Sequence, residues 1–134
     1  MAAGEYDLAL RAYLRAASEQ GANADVLSAL GTANLRLNRL GQSEQLLRRA
    51  VEMDERFVPA WNNLGVVLME TGQFSEASRV FRTAFGLSNG ESDIVKANLQ
   101  LALAKLEDPN YSVENSNFDL IRRGTSQYLL IPDQ

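Results

Sequence analysis

The side chains that carry most acid–base, nucleophilic and metal chemistry are missing from this sequence, which has no histidine and no cysteine in 134 residues. Without imidazole there is no base poised near neutral pH, no Ser–His pair and no histidine-based zinc site. Without thiols there is no thiolate nucleophile or soft metal ligand, and the redox compartment stays undetermined. Asp54-Glu55 and Glu107-Asp108 are paired carboxylates, but both fall where helices meet solvent and read as solvated charge. The stretch GVVLMETG lacks the glycine spacing and the lysine of a phosphate loop. Arg48-Arg49 reads as a solvated helix face, and Arg122-Arg123 as a hairpin loop able to meet an acidic partner. Eleven arginines stand against two lysines, which coding bias explains most simply. The expectation is a chain that is not an enzyme, with no catalytic, cofactor-binding or metal site. A net charge of −4, with acids and bases interspersed, also argues against a nucleic-acid partner.

With so little chemistry in single residues, the informative feature is a repeat. Two stretches superimpose at an offset of 34: Leu30-Gly31 recurs as Leu64-Gly65, Leu47 as Phe81, Ala50 as Ala84 and Met53 as Leu87. A period of this length marks stacked units, none of which buries its apolar face alone. Within each copy, apolar residues recur three and four apart, so one copy is a helical hairpin. Helices are predicted at roughly 4–20, 24–37, 41–53, 58–71, 74–87 and 91–107. Asn38 and Gly72 mark turns, because both tolerate the left-handed backbone that ends helices. Ser88 with Glu91 offers a capping box for the last helix, and Pro109 lies just beyond its end. That helix matches the first half of a third copy displaced by one residue, with Asn98-Leu99 against Asn63-Leu64.

The residues that fix the hairpin carry a family resemblance. Segment 58–91 resembles a tetratricopeptide repeat (TPR): Trp61, Leu64, Gly65, Ala77, Phe81 and Ala84 occupy that family's large and small packing positions. Leu68 replaces its usual Tyr, and Asn89 its usual Pro. Segment 24–57 is weaker but in register through Leu27, Leu30, Gly31, Ser43, Leu47 and Ala50, departing at Asn34 and Glu55. The implied fold is all-α, a right-handed helical-hairpin solenoid, here with a short C-terminal β-hairpin tail. The array spans 1–107: a partial repeat at 4–20, repeats at 24–57 and 58–91, and a half repeat or capping helix at 92–107. The tail spans 108–134. Trp61 beside Phe57 is thereby assigned to packing and not to a stacking platform. The opening helix has no first partner ahead of Gly4, which favours a chain cut from a longer array over a natural cap.

In this family the first helix of each pair lines a concave groove that takes peptides or helices. The resemblance therefore implies a binding surface of Ser28, Thr32, Leu35, Asn62, Asn63, Val66, Met69, Ile94, Ala97, Asn98 and Leu101, edged by Asp25, Pro59 and Ala104. Some members grip a C-terminal carboxylate with Lys and Asn on the first groove helix and Lys and Arg on the third. Here Asn63 matches the middle position, but Ser28 and Thr32 stand on one side and no paired cations on the other. Such a clamp is not expected. Asn63 and Asn98 could hold a peptide backbone, or could simply bond neighbouring helices.

Beyond Asp108 the composition changes. Polar DPNYSVENSN leads into two β-prone runs, Phe118 to Ile121 and Tyr128 to Ile131, around a glycine-containing loop. An isolated two-stranded hairpin is marginal in water, so the tail is expected to fold back over the last helix and the groove, as cap or as lid. The functional expectation is a non-catalytic interaction module, a scaffold or adaptor with a protein or peptide partner of undefined identity. The alternatives are the repeat portion of a bacterial secretion or pilus-assembly lipoprotein, or a docking arm of a larger enzyme. No apolar run approaches the roughly 20 residues of a membrane span, the N-terminus is no signal peptide, and localisation stays open. Tyr6, Leu10 and Tyr13 on an unpaired first helix suggest a homodimer through that end.

Overall fold

The computed structural model describes residues 8, 11, 12, 15 and 23–108, and the backbone of 118–123 and 127–132. Among residues 23–108 five helices follow one another: α1 (Ala24–Arg36), α2 (Leu40–Met53), α3 (Val58–Glu70), α4 (Phe74–Leu87) and α5 (Asp93–Glu107). Two strands follow, β1 (Phe118–Arg123) and β2 (Gln127–Pro132). The first predicted helix, with Tyr6, Leu10 and Tyr13, lies outside the described residues. Only Leu8, Arg11, Ala12 and Arg15 of that segment are described, and all four are helical and exposed.

The helix ends repeat as the sequence does. Asn23 caps α1 by accepting a hydrogen bond from the Val26 N–H at 2.8 Å. Asn38 at φ 60° and Gly72 at φ 78° turn the chain out of α1 and α3. In both turns an N–H reaches back five residues, Arg39 to the Asn34 carbonyl and Gln73 to that of Leu68, each at 2.8 Å. The third turn differs. Asn89 and Gly90 are both left-handed, and Ser88 donates its hydroxyl back to the Phe85 carbonyl at 2.8 Å. The expected Ser88 cap therefore does not form. Ser92 caps instead, accepting from the Val95 N–H at 3.3 Å, and α5 begins at Asp93.

Consecutive helices pack in sequence order, while α1 also meets α3 and α3 meets α5, giving an all-α solenoid. Its packing depends on two glycines. A Cβ on Gly65 would stand 2.6 Å from Phe81 Cζ, and one on Gly31 2.6 Å from Leu47 Cγ. The small residue lets a large one on the partner helix reach the first helix's backbone, and Phe81 and Leu47 are wholly buried as a result. Ser43, where the other copy has Ala77, is accommodated by donating to the Gly31 carbonyl at 2.7 Å. Trp61 packs against the core and donates its indole N–H to the Glu55 carbonyl at 2.9 Å.

Asp54, Glu55, Glu107 and Asp108 are exposed. Arg48 corrects its expected role as a freely solvated charge. It bonds Glu44 one turn back at 3.1 Å and Glu76 of the next repeat at 2.9 Å. The Glu76 carboxyl is held below its ordinary value by the Arg48 hydrogen bond, and the Arg48 guanidinium is raised by the same contact. β1 and β2 pair antiparallel with Leu120 opposite Leu130, and β2 lies against α3 and α5.

Candidate functional site

The first helix of each hairpin, α1 or α3, and its counterpart α5 carry the positions singled out from the sequence. Their polar members join into one chain of hydrogen bonds. Asn63 Nδ2 on α3 donates to Thr32 Oγ1 on α1 at 3.1 Å, and Asn62 Nδ2 donates to Asn63 Oδ1 at 3.4 Å. Asn98 Nδ2 on α5 donates to Asn62 Oδ1 at 3.0 Å. The three asparagines are completely buried. Of the two roles open to them, the inter-helix one is present: they tie three neighbouring helices together. A satisfied buried network of this kind fixes register, since a slip would strand its amides away from water.

The apolar members sit beside this line. Leu35, Val66 and Met69 are buried, Ile94 and Leu101 are half-buried, and Ala97 is exposed. Ser28 is buried, its hydroxyl oxygen without a hydrogen bond among the described residues, while Asp25 at the rim is exposed. Thus most of the expected surface is brought together, but much of it is covered.

Two charged residues at the C-terminal ends of these helices belong to the same face and escaped the residue-by-residue reading. Glu70 of α3 has one carboxylate oxygen buried without a hydrogen bond among the described residues, and burial pushes its carboxyl above the ordinary value. Lys105 of α5 is buried, with its ammonium 5.5 Å from the Phe74 ring centroid and its pKa pushed down by desolvation. The repeat offsets carried the signal, because Arg36, Glu70 and Lys105 are equivalent at 34 and then 35 residues. On a different face, a cavity of about 360 Å³ opens between α1 and α2, lined by Leu30, Asn34, Gln42, Gln45, Leu46 and Arg49 among others. None of the groove residues borders it. Among the described residues no acidic cluster could hold a metal ion, and no helix is long and apolar enough to cross a membrane.

A stack of helical hairpins with one continuous face from its first helices defines a repeat solenoid, a class that works by presenting surface. The family profile described as Tetratricopeptide repeat matches residues 1–59 and 29–92. The chain belongs to the tetratricopeptide repeat family. It is 34% identical over 90 residues to Tetratricopeptide repeat protein 5 of Bos taurus, covering 66% of this chain but only 20% of that relative's length. The Sgt2 TPR domain from Aspergillus fumigatus is similar in structure, with a TM-score of 0.76 at 24% identity, over 90% of this chain and 81% of that one. The second TPR domain of human RPAP3, solved in complex with the HSP70 peptide SGPTIEEVD, has a TM-score of 0.68 at 24% identity, over 75% and 82% of the two chains. At that identity the likeness is one of fold.

Proposed function

We propose that this chain is a non-catalytic protein-interaction module that receives an extended peptide along the face formed by α1, α3 and α5. The observation that carries the reading is that an extended strand of the chain itself, β2, packs against α3 and α5. A face that takes a strand in cis has the dimensions to take one in trans. The related domain from RPAP3, which holds an HSP70 peptide, supports a peptide partner in general. It does not supply the chemistry. SGPTIEEVD is acidic and ends in a carboxylate, whereas this face offers Ser28, Thr32, Ile94 and Asn98 where a clamp needs paired cations. Val66, Met69 and Leu101 favour an apolar peptide instead.

The test is selection of random nine-residue peptides on the intact protein, followed by titration against two groove variants. Ala97→Arg alters an exposed position and should weaken selected apolar peptides at least tenfold with melting temperature preserved. Leu101→Asp should weaken them as much while lowering the melting temperature, because Leu101 also packs against the core. SGPTIEEVD should show no saturable binding. Selected peptides that ignore both substitutions but are lost on Gln45→Ala or Arg49→Ala would move the site to the cavity between α1 and α2. The proposed partner set includes a second copy through the predicted helix at 4–20, where Leu8 is 67% exposed. Sedimentation should then show a dimer that Leu10→Glu dissociates, and a monomer at all concentrations would remove it.

A further inference from the structure

Several groove positions of α3 and α5 are buried although they belong to the face on which a peptide is proposed to bind, while Ala97 is exposed and Ile94 and Leu101 half-buried. Asn62, Val66 and Asn98 are fully buried and Met69 is 2% exposed. The same two helices are the ones that β2 lies against. Ser28 and Leu35 on α1 are just as buried, so what sets α3 and α5 apart is the strand packed against them. The sequence of that strand, QYLLIP, is almost entirely apolar, and its partner FDLIRR brings three more apolar residues. A hairpin with no core of its own gains by resting on a larger apolar surface.

We propose that β2, held by its pairing with β1, is a built-in occupant of the peptide groove, a tethered pseudo-ligand that a partner must displace. This rests on the reading of the groove as a peptide site. Two consequences follow from the chemistry. First, the partner resembles the strand it replaces: an extended segment of branched and aromatic residues, not an acidic C-terminus. Second, because the occupant is tethered, it competes at an effective concentration of about millimolar or above, so a partner of modest affinity gains entry only when the hairpin is drawn away. The array thus carries its own threshold for binding.

The experiment uses the full chain and a full-chain double variant, Leu130→Asp with Ile131→Asp. Successive strand residues point to opposite faces, so adjacent substitutions reach the helix-facing side whichever it is. Three readouts are taken: helix content, peroxide oxidation of Met69 against Met53, and anisotropy with a labelled synthetic peptide of residues 116–134. Met53 is 53% exposed and serves as the internal reference for oxidation of an accessible thioether. The expected result is retained helix, Met69 oxidation accelerated at least tenfold with Met53 unchanged, and peptide affinity at least tenfold higher for the variant than for the parent. Met69 still protected in the folded variant overturns the proposal, while leaving open the groove as a site for selected peptides. Met69 exposed with no peptide binding to either chain makes the hairpin a structural cap and removes the peptide-site reading as well. Should the variant lose its helices, hydrogen exchange on the parent chain decides. Amides of β2 protected in the parent and exchanging faster when selected peptide is added support displacement. Amides of β2 that are unprotected, or protected and unmoved by bound peptide, overturn it.

Discussion

The same chemical change, glycine to alanine, should have opposite signs at two places in this molecule. In Gly65→Ala the new methyl must occupy space already filled, since Cζ of Phe81 lies 2.6 Å from its position. Phe81 is wholly buried, so its ring cannot swing into solvent and either the ring or α4 must shift. Overpacking of this kind costs about 2–3 kcal/mol, offset by about 1 kcal/mol of better helix propensity, which leaves a net loss of about 1–2 kcal/mol. In Gly41→Ala nothing among the described residues lies within 4 Å of the added carbon. Only propensity acts there, and in the first turn of α2 it stabilises by about 0.5 kcal/mol. At about 3–5 °C per kcal/mol for a domain of this size, melting followed by circular dichroism should separate the variants by roughly 5–12 °C. Gly65→Ala melting at or above the parent temperature would refute the claim that close approach of α3 and α4 requires glycine.

The Arg48–Glu76 bridge between repeats is about one-third exposed on each side, so Arg48→Ala should cost under about 1 kcal/mol by urea unfolding. Because Arg48 holds the Glu76 carboxyl down, that contribution is present above the ordinary carboxylate value of 4.5 and is lost as pH falls below it. An unchanged Arg48→Ala effect at pH 3 would contradict this. Glu70 works in the other sense: its carboxyl is raised by burial, so stability is fully present below 4.5 and declines as pH rises through the folded value. Glu70→Gln should therefore be more stable than the parent at pH 7, with the gap closing at pH 4, and a gap independent of pH would count against it. Asn62→Ala leaves the Asn98 amide without its Oδ1 acceptor on α3 and should cost about 1–3 kcal/mol. A loss below about 0.5 kcal/mol would mean that the buried line of asparagines is redundant.

The hairpin repeat was legible because its determinants are local and periodic. Gly65 with Phe81, and Gly31 with Leu47, recur at one offset, and each pair is a contact that the period itself encodes. Asn38 and Gly72 were readable for a similar reason: a left-handed residue at a helix end is a property of residue type. The start of α5 was not. Ser88 and Ser92 both have the chemistry of a cap, and the choice depends on two consecutive left-handed residues, Asn89 and Gly90, which carry the chain past the first. Arg48 with Glu76 escaped because the pair joins residues 28 apart on different hairpins. The groove shows the limit most clearly. Its residues could be named from the repeat register, yet the burial of Asn62 and Met69 could not. Asn62 is buried where its Oδ1 meets Asn98 of α5, 36 residues away, a pairing set by how the hairpins stack.

If the face of α1, α3 and α5 receives extended chain, the Met69 methyl resonance reports its arrival. The sequence holds three methionines, one of them Met69 on that face and another Met53, exposed on α2. A saturating apolar peptide selected on the intact protein should shift the Met69 methyl, whether it fills the groove or displaces the strand, and leave Met53 in place. A bound peptide that moves Met53 and leaves Met69 unchanged would contradict the account.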